Sequence, residues 1–329
     1  HLGQTFYEYD RREEHFHFLE WLKQQIKQHE IDVLLIAGDV FDSPNPSAES
    51  QRVYYRFLRE VTSENPSLQI VIIAGNHDSA ARLEAPNPLL EDMNIIVRGT
   101  VRRNAEGDID LQHFIVPLYT EGKVTAYCLA VPYLRQGDYP SAENYSKGVQ
   151  QLYEQLFNKV KEKGIPVVAM GHLQATGSEI SEDDRSERTV IGGLECVSPD
   201  AFNEAITYTA LGHLHRSQRV SHRENVRYSG TPMPMSFAEK NNASGVVMIT
   251  IDTEGTNIEK LEFQPLAGLV SIPPEARPLE EVLQVIGELP DGDVTLRSPY
   301  LEIKILMTEP EPSYKYKIEE ALKGKAVRL

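Results

Sequence analysis

The stretch "IVIIAGNHDSAA", residues 70–81, indicates the fold class of this chain. It begins with five consecutive apolar residues, which are typical of a strand that is buried on both faces of a parallel sheet. The strand runs directly into Gly75 and then into the polar side chains of Asn76, His77 and Asp78. A buried strand with a polar tip predicts a binding site at that tip.

Strand and helix patterns alternate on both sides of this stretch. Apolar residues at helical spacing predict helices over residues 16–26, 53–61 and 149–160. Continuous apolar runs predict further strands in "IDVLLIAGD" (31–39), "IPVVAMGH" (165–172) and "ITYTALGHLH" (206–215). This order predicts an α/β fold in which helices cover a parallel sheet.

The rest of the chain predicts a second, smaller domain. Residues 178–189 are polar and acidic, as in a loop, and the segments 225–230 and 244–252 are predicted strands with hairpin-like spacing. The composition changes near Leu266, where a proline-rich joint (272–278) precedes a predicted helix, an alternating strand (300–307) and a second short helix. We therefore expect a domain over residues 1–265 and a small α/β domain over 266–329.

Composition and charge limit the function classes. No apolar run approaches the roughly 18 residues of a membrane span. Cys128 and Cys196 form no CxxC pair, so both are predicted to be small buried residues of a cytoplasmic protein. The formal net charge of -16 argues against nucleic-acid binding unless positive charge is concentrated locally. One basic segment, residues 213–227, offers Arg216 and Arg219 as DNA contacts, and a solvated hairpin edge explains it equally well.

Four of the predicted strands end in polar residues that suit a metal site. Because the carboxyl ends of parallel strands share one edge of a sheet, these side chains should converge. Imidazole, carboxylate and amide oxygen together suit a divalent cation, and the lack of cysteine ligands argues against a structural zinc site. The residues concerned are Asp39 and Asp42, then Asn76, His77 and Asp78, then His172, and finally His213 and His215.

The number of donors predicts two ions rather than one. Two ions about 3.5–4 Å apart commonly share a bridging carboxylate. His213 and His215 occupy alternate positions, so a bend in the chain would direct one to each ion. The candidate ligands are His1, Asp39, Asn76, His172, His213 and His215.

The order of the motifs resembles a known family. "GDVFD" (38–42), "GNHD" (75–78), "GH" (171–172) and "GHLH" (212–215) resemble the calcineurin-like metallophosphoesterase superfamily. "HLGQ" (1–4) and "YSGTPMPMSF" (228–237) look like the SbcD-type nucleases of DNA double-strand-break repair. The resemblance implies a β-sandwich core flanked by helices, with the C-terminal α/β domain as a cap over the site.

The resemblance also implies a role for each site residue. Asp39 would bridge two Mn²⁺ ions, with Mg²⁺, Fe or Zn²⁺ left open as substitutes. Asn76, His172 and His213 would complete one ion, and His1 and His215 the other. His77 would act beside the scissile phosphate as general acid or charge stabiliser, oriented by Asp78. Asp42 would contact the metal ligands without binding a metal itself.

Further implications concern partners and the chain's ends. The family pattern has an aspartate two residues before His1, so we expect a first strand that lies outside this sequence. The family partner is an SbcC/Rad50-type ATPase, bound through a region expected beyond residue 329, and the family forms homodimers. The implied activity is a manganese-dependent DNA exonuclease and endonuclease, active on double-strand breaks and hairpins in DNA repair, recombination and replication.

Two alternatives remain open at this point. The same residues would serve a general metallophosphatase or a cyclic-nucleotide phosphodiesterase. The chain would instead be a DNA-end binding protein if its metal site were incomplete.

Overall fold

The computed structural model describes residues 1–178, 196–307 and 310–329. The predicted acidic loop (178–189) therefore lies, beyond Ser178, outside the described residues. The described helices are α1 (Arg12–Gln28), α2 (Ala48–Glu64), α3 (Ala80–Glu84), α4 (Asn87–Leu90), α5 (Leu111–Phe114), α6 (Tyr145–Val160), α7 (Leu279–Gly287) and α8 (Tyr314–Leu322). Short 3₁₀ helices lie at Glu91–Met93, Lys161–Lys163, Pro199–Ala201 and Phe237–Glu239.

The strands alternate with these helices in the first half of the chain and dominate the second. They are β1 (Thr5–Phe6), β2 (Tyr9–Asp10), β3 (Val33–Ala37), β4 (Gln69–Ile73), β5 (Ile95–Arg98), β6 (Ile115–Thr120), β7 (Lys123–Ala130), β8 (Val167–His172), β9 (Tyr208–Gly212), β10 (Gln218–Val220), β11 (Arg223–Tyr228), β12 (Gly245–Asp252), β13 (Gly255–Glu262), β14 (Leu269–Arg277) and β15 (Tyr300–Ile305).

Capping residues set the starts of the two longest central helices. The Ser47 side chain accepts a hydrogen bond from the backbone N–H of Ser50 at the start of α2. Asn144 does the same for Lys147 at the start of α6. Each cap satisfies a backbone N–H that the helix itself leaves without a partner. The buried residues of both helices recur at helical spacing, so each helix presents one apolar face to a sheet.

Two sheets, not one, carry the strand ends that the sequence predicts to converge. Strands β3, β4 and β5 form a parallel sheet. The other sheet has the order β10-β11-β9-β8-β7-β6, and it is parallel from β7 through β8 and β9 to β11. The prediction of a single sheet edge is wrong, because β3 and β4 lie in one sheet while β8 and β9 lie in the other.

The two sheets pack face to face as a sandwich. On β4, Val71 and Ile73 point into the interface, where they pack with residues such as Cys128 and Met170 of the opposite sheet. Ile70 and Ile72 point outward into the core formed with α1 and α2. The outer face of the other sheet is covered by α6. The α/β sandwich flanked by helices is therefore confirmed.

The two later predicted strands do not pair with each other. β11 pairs with β10 and β9, whereas β12 pairs with β13. The β12–β13 hairpin turns where the Asp252 carboxylate accepts hydrogen bonds from the backbone N–H groups of Glu254 and Gly255. Such a short-range turn favours pairing with the next strand along the chain over pairing with a more distant one.

Residues 269–329 have an apolar core of their own. β14 and β15 pair in parallel, and α7 and α8 contribute Val282, Ile286 and Ile318 to the core. The predicted proline-rich joint (272–278) is wrong, because it falls mostly within β14. Pro273 and Pro274 lie at the register shift between Ile272 and Arg277, where the ladder of hydrogen bonds is interrupted and proline is tolerated.

A buried polar network joins this C-terminal unit to α1. The Glu14 carboxylate accepts hydrogen bonds from the Arg11 guanidinium and from the Tyr300 hydroxyl, and lies 3.6 Å from the Arg328 guanidinium. Arg11 also donates to the backbone carbonyl of Pro234 at 2.6 Å. All of the charged groups are 6% exposed or less, so each depends on the others for compensation.

The two cysteines differ in environment. Cys128 lies between the sheets, and burial raises the pKa of its thiol to about 12. Cys196 is exposed, so the prediction of burial is wrong for this residue. It precedes Val197, whose backbone hydrogen-bonds to Gln174 and Thr176 next to the end of β8. No helix within the described ranges has the length and apolar character needed to cross a membrane.

Candidate active site

The two sheets meet at the carboxyl ends of β3 and β8. The His172 Nδ1–H donates to the backbone carbonyl of Ala37 across the interface at 2.8 Å. Gly38 follows Ala37 with a φ of +91, and a Cβ there would lie 2.4 Å from His172 Nδ1. Only glycine allows the strand to leave the sheet this close to the imidazole. This contact brings the polar tips of both sheets together.

Asp39 lies at the centre of the converging side chains. Its Oδ2 is 3.2 Å from His172 Nε2 and 3.6 Å from His1 Nε2, and its Oδ1 accepts the His77 backbone N–H at 2.9 Å. Burial opposes the charged carboxylate, but the neighbouring His172 and the hydrogen bond from His77 outweigh burial, so the Asp39 pKa lies below its ordinary value. Asp39 is thus a buried carboxylate between two imidazoles.

The environment of His172 Nε2 requires a positive charge. Because Ala37 accepts the Nδ1 proton, a neutral His172 carries no proton on Nε2. That nitrogen nevertheless faces Asp39 Oδ2 at 3.2 Å and Asn76 Oδ1 at 2.9 Å. Burial lowers the His172 pKa and Asp39 raises it, with a net rise. A proton on Nε2 would relieve the repulsion between the nitrogen lone pair and the two oxygen atoms. A bound cation would relieve it equally well.

Asn76 joins a third imidazole to this group. Its Oδ1 is 3.1 Å from His213 Nδ1, and the His213 ring lies 5.3 Å from the His172 ring. The His213 backbone has a φ of 100, a strained conformation for a residue with a side chain. Burial and the neighbouring His172 lower the His213 pKa to about 3. His213 is therefore held as a neutral imidazole, the form that binds a metal.

His1 belongs to a second group beside the first. Its ring centroid is 5.2 Å from that of His215 and 4.8 Å from that of His77. His1 Nδ1 is buried without a hydrogen-bond partner among the described residues and lies 3.5 Å from Asp42 Oδ1. Ligand atoms of His1, Asp42 and His77 all lie within 4.8 Å of one another. Asp42 is thus close enough to His1 and His77 to bind an ion with them, whereas the resemblance gave it only a supporting contact with the ligands.

These donors fit a pair of divalent cations. Imidazole, carboxylate and amide oxygen are ligands of such ions. Among the described residues, no hydrogen-bond donor faces the buried His1 Nδ1 or His172 Nε2. Asp39, Asn76, His172 and His213 would hold one ion. Asp39, His1 and His215 would hold the other. This grouping follows the one that the resemblance implies, and the assignment of each ligand to an ion remains a prediction.

Asp78 does not contact the imidazole it was expected to orient. Its buried carboxylate accepts backbone N–H bonds from Gly75, Val40 and Phe41, and so fixes the loops that follow β3 and β4. The His77 Nδ1–H donates instead to the backbone carbonyl of Asp42 at 3.0 Å. The predicted role of Asp78 in orienting the His77 ring is wrong, because the carboxylate is used by three backbone donors.

Glu239 is a functional residue that the sequence motifs do not include. Its Oε1 is 2.8 Å from His215 Nδ1, and its Oε2 accepts the backbone N–H of Met235 at 2.8 Å. The Glu239 side chain is 1% exposed. A carboxylate on one nitrogen of an imidazole directs the other nitrogen to a metal. In the sequence, the only indication of a role for Glu239 was its position two residues after "YSGTPMPMSF" (228–237).

The basic segment after His215 is partly neutralised. The Glu224 carboxylate pairs with both Arg219 and Arg227. Arg223 donates to the backbone carbonyls of Pro199 and Phe202, which gives it a structural role. Arg216 lies just before β10, Arg219 lies on β10, and both side chains are exposed. Their contact with DNA remains a prediction.

Comparison with known proteins agrees with this geometry. A sequence model of the family "Calcineurin-like phosphoesterase" matches residues 1–217. The SbcD subunit of the SbcCD nuclease of Rhodobacter capsulatus is 35% identical over an alignment of 344 residues, which covers 100% of this chain and 84% of the relative. The chain belongs to the calcineurin-like phosphoesterase family, in its SbcD branch.

Other SbcD proteins show the same similarity over less of their length. The protein of the same name from Escherichia coli strain K12 is 31% identical over 287 residues, covering 82% of this chain and 68% of the relative. That from Bacillus subtilis strain 168 is 28% identical over 267 residues, covering 76% of this chain and 63% of the relative. As an SbcD-type member of its family, the chain is a metal-dependent phosphodiesterase.

Proposed function

We propose that this chain is a two-metal, manganese-dependent DNA nuclease with exonuclease and endonuclease activity at double-strand breaks and hairpins. The observation that carries the proposal is the position of Asp39, whose Oδ2 lies 3.2 Å from His172 and 3.6 Å from His1. Each of these imidazoles belongs to its own group of donors. A carboxylate shared by two donor groups is the arrangement required for two ions that act on one phosphodiester.

Two bound divalent cations would supply a hydroxide nucleophile at neutral pH and would offset the charge that develops on the phosphodiester. The protein residues hold the geometry. Asp39 is kept anionic by His172, and Asn76 fixes the relative positions of His172 and His213.

His77 is placed to move a proton at the site. The Asp42 carbonyl accepts the hydrogen bond from Nδ1, so a proton stays on that nitrogen and Nε2 is the position at which the ring exchanges protons. The ring packs edge-on against His1 with centroids 4.8 Å apart, next to both donor groups. A protonated Nε2 would donate to the leaving oxygen of the broken phosphodiester, or would stabilise its negative charge.

The wider biological role follows from the SbcD resemblance. The proposal includes an SbcC-type ATPase as partner, a homodimer, and a cytoplasmic role in DNA repair, recombination and replication. The candidate dimer surface is formed by residues 52–61 of α2 and by the segment 81–92. The C-terminal unit, which falls within the domain predicted over residues 266–329, would limit which DNA conformations reach the metals. Its contact with α1 through Glu14 would keep it close to the site.

The proposal is tested with the product of the full gene, incubated with linear duplex and hairpin DNA in Mn²⁺ and in EDTA. We expect cleavage that requires Mn²⁺ and falls about 100-fold or more in His77→Ala, the loss typical of a general acid or base. His222→Ala, which changes an exposed histidine in a turn, should cleave like the wild type.

Other outcomes favour the alternative functions. Hydrolysis of a small phosphoester with intact DNA would replace the nuclease by a general phosphatase or phosphodiesterase. DNA binding without cleavage at any Mn²⁺ concentration would favour a DNA-end binding protein.

A further inference from the structure

The loop between β7 and α6 brings an aromatic ring to the metal site. The Tyr133 backbone N–H donates to the carbonyl of Ala74, at the end of β4, at 2.8 Å. The Tyr133 ring lies edge-on to the His172 ring with centroids 6.1 Å apart. This segment, "VPYLRQGD" (131–138), is not one of the motifs that predict the site. It therefore adds a wall to the site that the metal ligands do not provide.

Arg135 is stacked on this ring. Its guanidinium carbon lies 5.6 Å from the Tyr133 ring centroid, within the range of a cation–π contact. The Arg135 backbone N–H donates to the Asp138 carboxylate at 2.8 Å, which fixes the turn that presents the side chain. The order from the metal site outward is thus His172, then Tyr133, then Arg135.

The charge of Arg135 is available to a ligand. The side chain is exposed, and within the described ranges no carboxylate lies at ion-pair distance from its guanidinium. This contrasts with Arg219 and Arg227, which both pair with Glu224. Stacking on the Tyr133 ring leaves the N–H groups of Arg135 free, and the planar guanidinium matches two phosphate oxygens. In a chain of net charge -16, such a group is a local site for an anion.

We propose that Tyr133 and Arg135 form a phosphate clamp that holds the DNA backbone beside the phosphodiester at the metal site. This inference rests on the proposed nuclease function and names the part of the substrate that it would contact. Tyr133 sets the position of the guanidinium, and Arg135 contacts a phosphate next to the one that is cleaved. Because a backbone phosphate carries no base identity, the contact should contribute equally to all sequences.

The test measures DNA binding as a function of salt, with Ca²⁺ in place of Mn²⁺ to suppress cleavage. Fluorescence anisotropy of a labelled oligonucleotide is recorded for the wild type, Arg135→Gln, Arg135→Lys and Lys163→Gln. Lys163 is an exposed cation that precedes β8, at the end of the strand opposite to His172, so its variant controls for the loss of one charge.

We expect Arg135→Gln to weaken binding about tenfold for every sequence tested, and to reduce the slope of log K against log salt by about 1. Arg135→Lys should restore the slope but only part of the affinity, since lysine keeps the charge and loses the planar stack. Lys163→Gln should match the wild type.

Two results would overturn the clamp, and they differ in what they say of the nuclease. If the wild type binds and cleaves DNA while Arg135→Gln binds with the affinity and slope of Lys163→Gln, the clamp is wrong and the nuclease stands. If the wild type neither binds nor cleaves DNA, the proposed function and the clamp fail together.

Discussion

At the scale of single residues, Glu239 controls the position of a predicted metal ligand. Its two oxygens are divided between His215 and the Met235 backbone, so the carboxylate has little freedom to move. Glu239→Gln keeps the shape but removes the charge and half of the acceptor capacity. We expect Mn²⁺ affinity to fall about 10- to 100-fold, as measured by isothermal titration calorimetry.

The matched control is Glu259→Gln, an exposed substitution on β13 that should leave Mn²⁺ affinity at the wild-type value. Equal affinities for the two variants would show that Glu239 supports the fold without positioning His215.

His113 gives a prediction about pH and stability. Burial and then the nearby Arg98 lower its pKa to about 4, from an ordinary value of 6.5. Between these two values the unfolded chain binds a proton that the folded chain does not, so stability falls as the pH drops from 6.5 to 4. The loss of unfolding free energy that is due to His113 should amount to about 2 kcal/mol between pH 7 and pH 5.

Urea unfolding in EDTA at both pH values measures this loss. His113→Asn should lose less stability on acidification than the wild type, by about 2 kcal/mol. His222→Asn removes an exposed imidazole and should behave as the wild type does. An unchanged pH dependence in His113→Asn would contradict the assignment.

At the scale of elements, β9 approaches β3 closely at Gly212. A Cβ at this position would lie 1.9 Å from the Ala37 carbonyl oxygen and 2.9 Å from His172 Nδ1. Gly212→Ala must therefore push the two sheets apart where the site forms. We expect a loss of about 3 kcal/mol or more in unfolding free energy, together with weaker Mn²⁺ binding.

Gly268→Ala serves as the control, because a Cβ there would meet no atom of the described residues within 4 Å. Chemical denaturation and calorimetry on both variants make the comparison. If Gly212→Ala were as stable as Gly268→Ala and bound Mn²⁺ as well, the two sheets would be more loosely coupled than their contact at Ala37 implies.

The elements also show how far sequence reasoning reaches. Helices α1, α2, α6, α7 and α8 and the strands β3, β4, β8 and β9 were predictable, because apolar periodicity and strand-ending glycines are local signals. The short helices α3, α4 and α5 were not predictable in this way, because four or five residues show no periodicity. The division of these strands between two sheets was not, since buried parallel strands look alike in either sheet. Glu239 lies 24 residues from His215 and reaches it only through the folded chain, so no spacing rule points to it.

At the scale of the whole molecule, the Glu14 network links the C-terminal unit to the segments around the site. Arg11 and Tyr300 both donate to Glu14, and Arg11 also holds the Pro234 carbonyl, one residue before Met235. Tyr300→Phe leaves one buried carboxylate oxygen without its hydroxyl donor. We expect a loss of about 1–3 kcal/mol in unfolding free energy.

Guanidinium unfolding followed by circular dichroism tests this link. Tyr316→Phe removes a hydroxyl from an exposed tyrosine of α8 and should leave the midpoint unchanged. If both variants unfold at the wild-type midpoint, the network adds no stability to the joined units.

The contrast between the two thiols makes this chain suitable for site-specific labelling. Cys128 lies in the sandwich with a thiol that stays protonated, whereas Cys196 is open to solvent. A maleimide dye should therefore attach at Cys196 alone, without any engineered cysteine. Because the neighbouring Val197 hydrogen-bonds to the backbone of Gln174, two residues after His172, we expect the fluorescence of the dye to change when DNA binds at the proposed metal site.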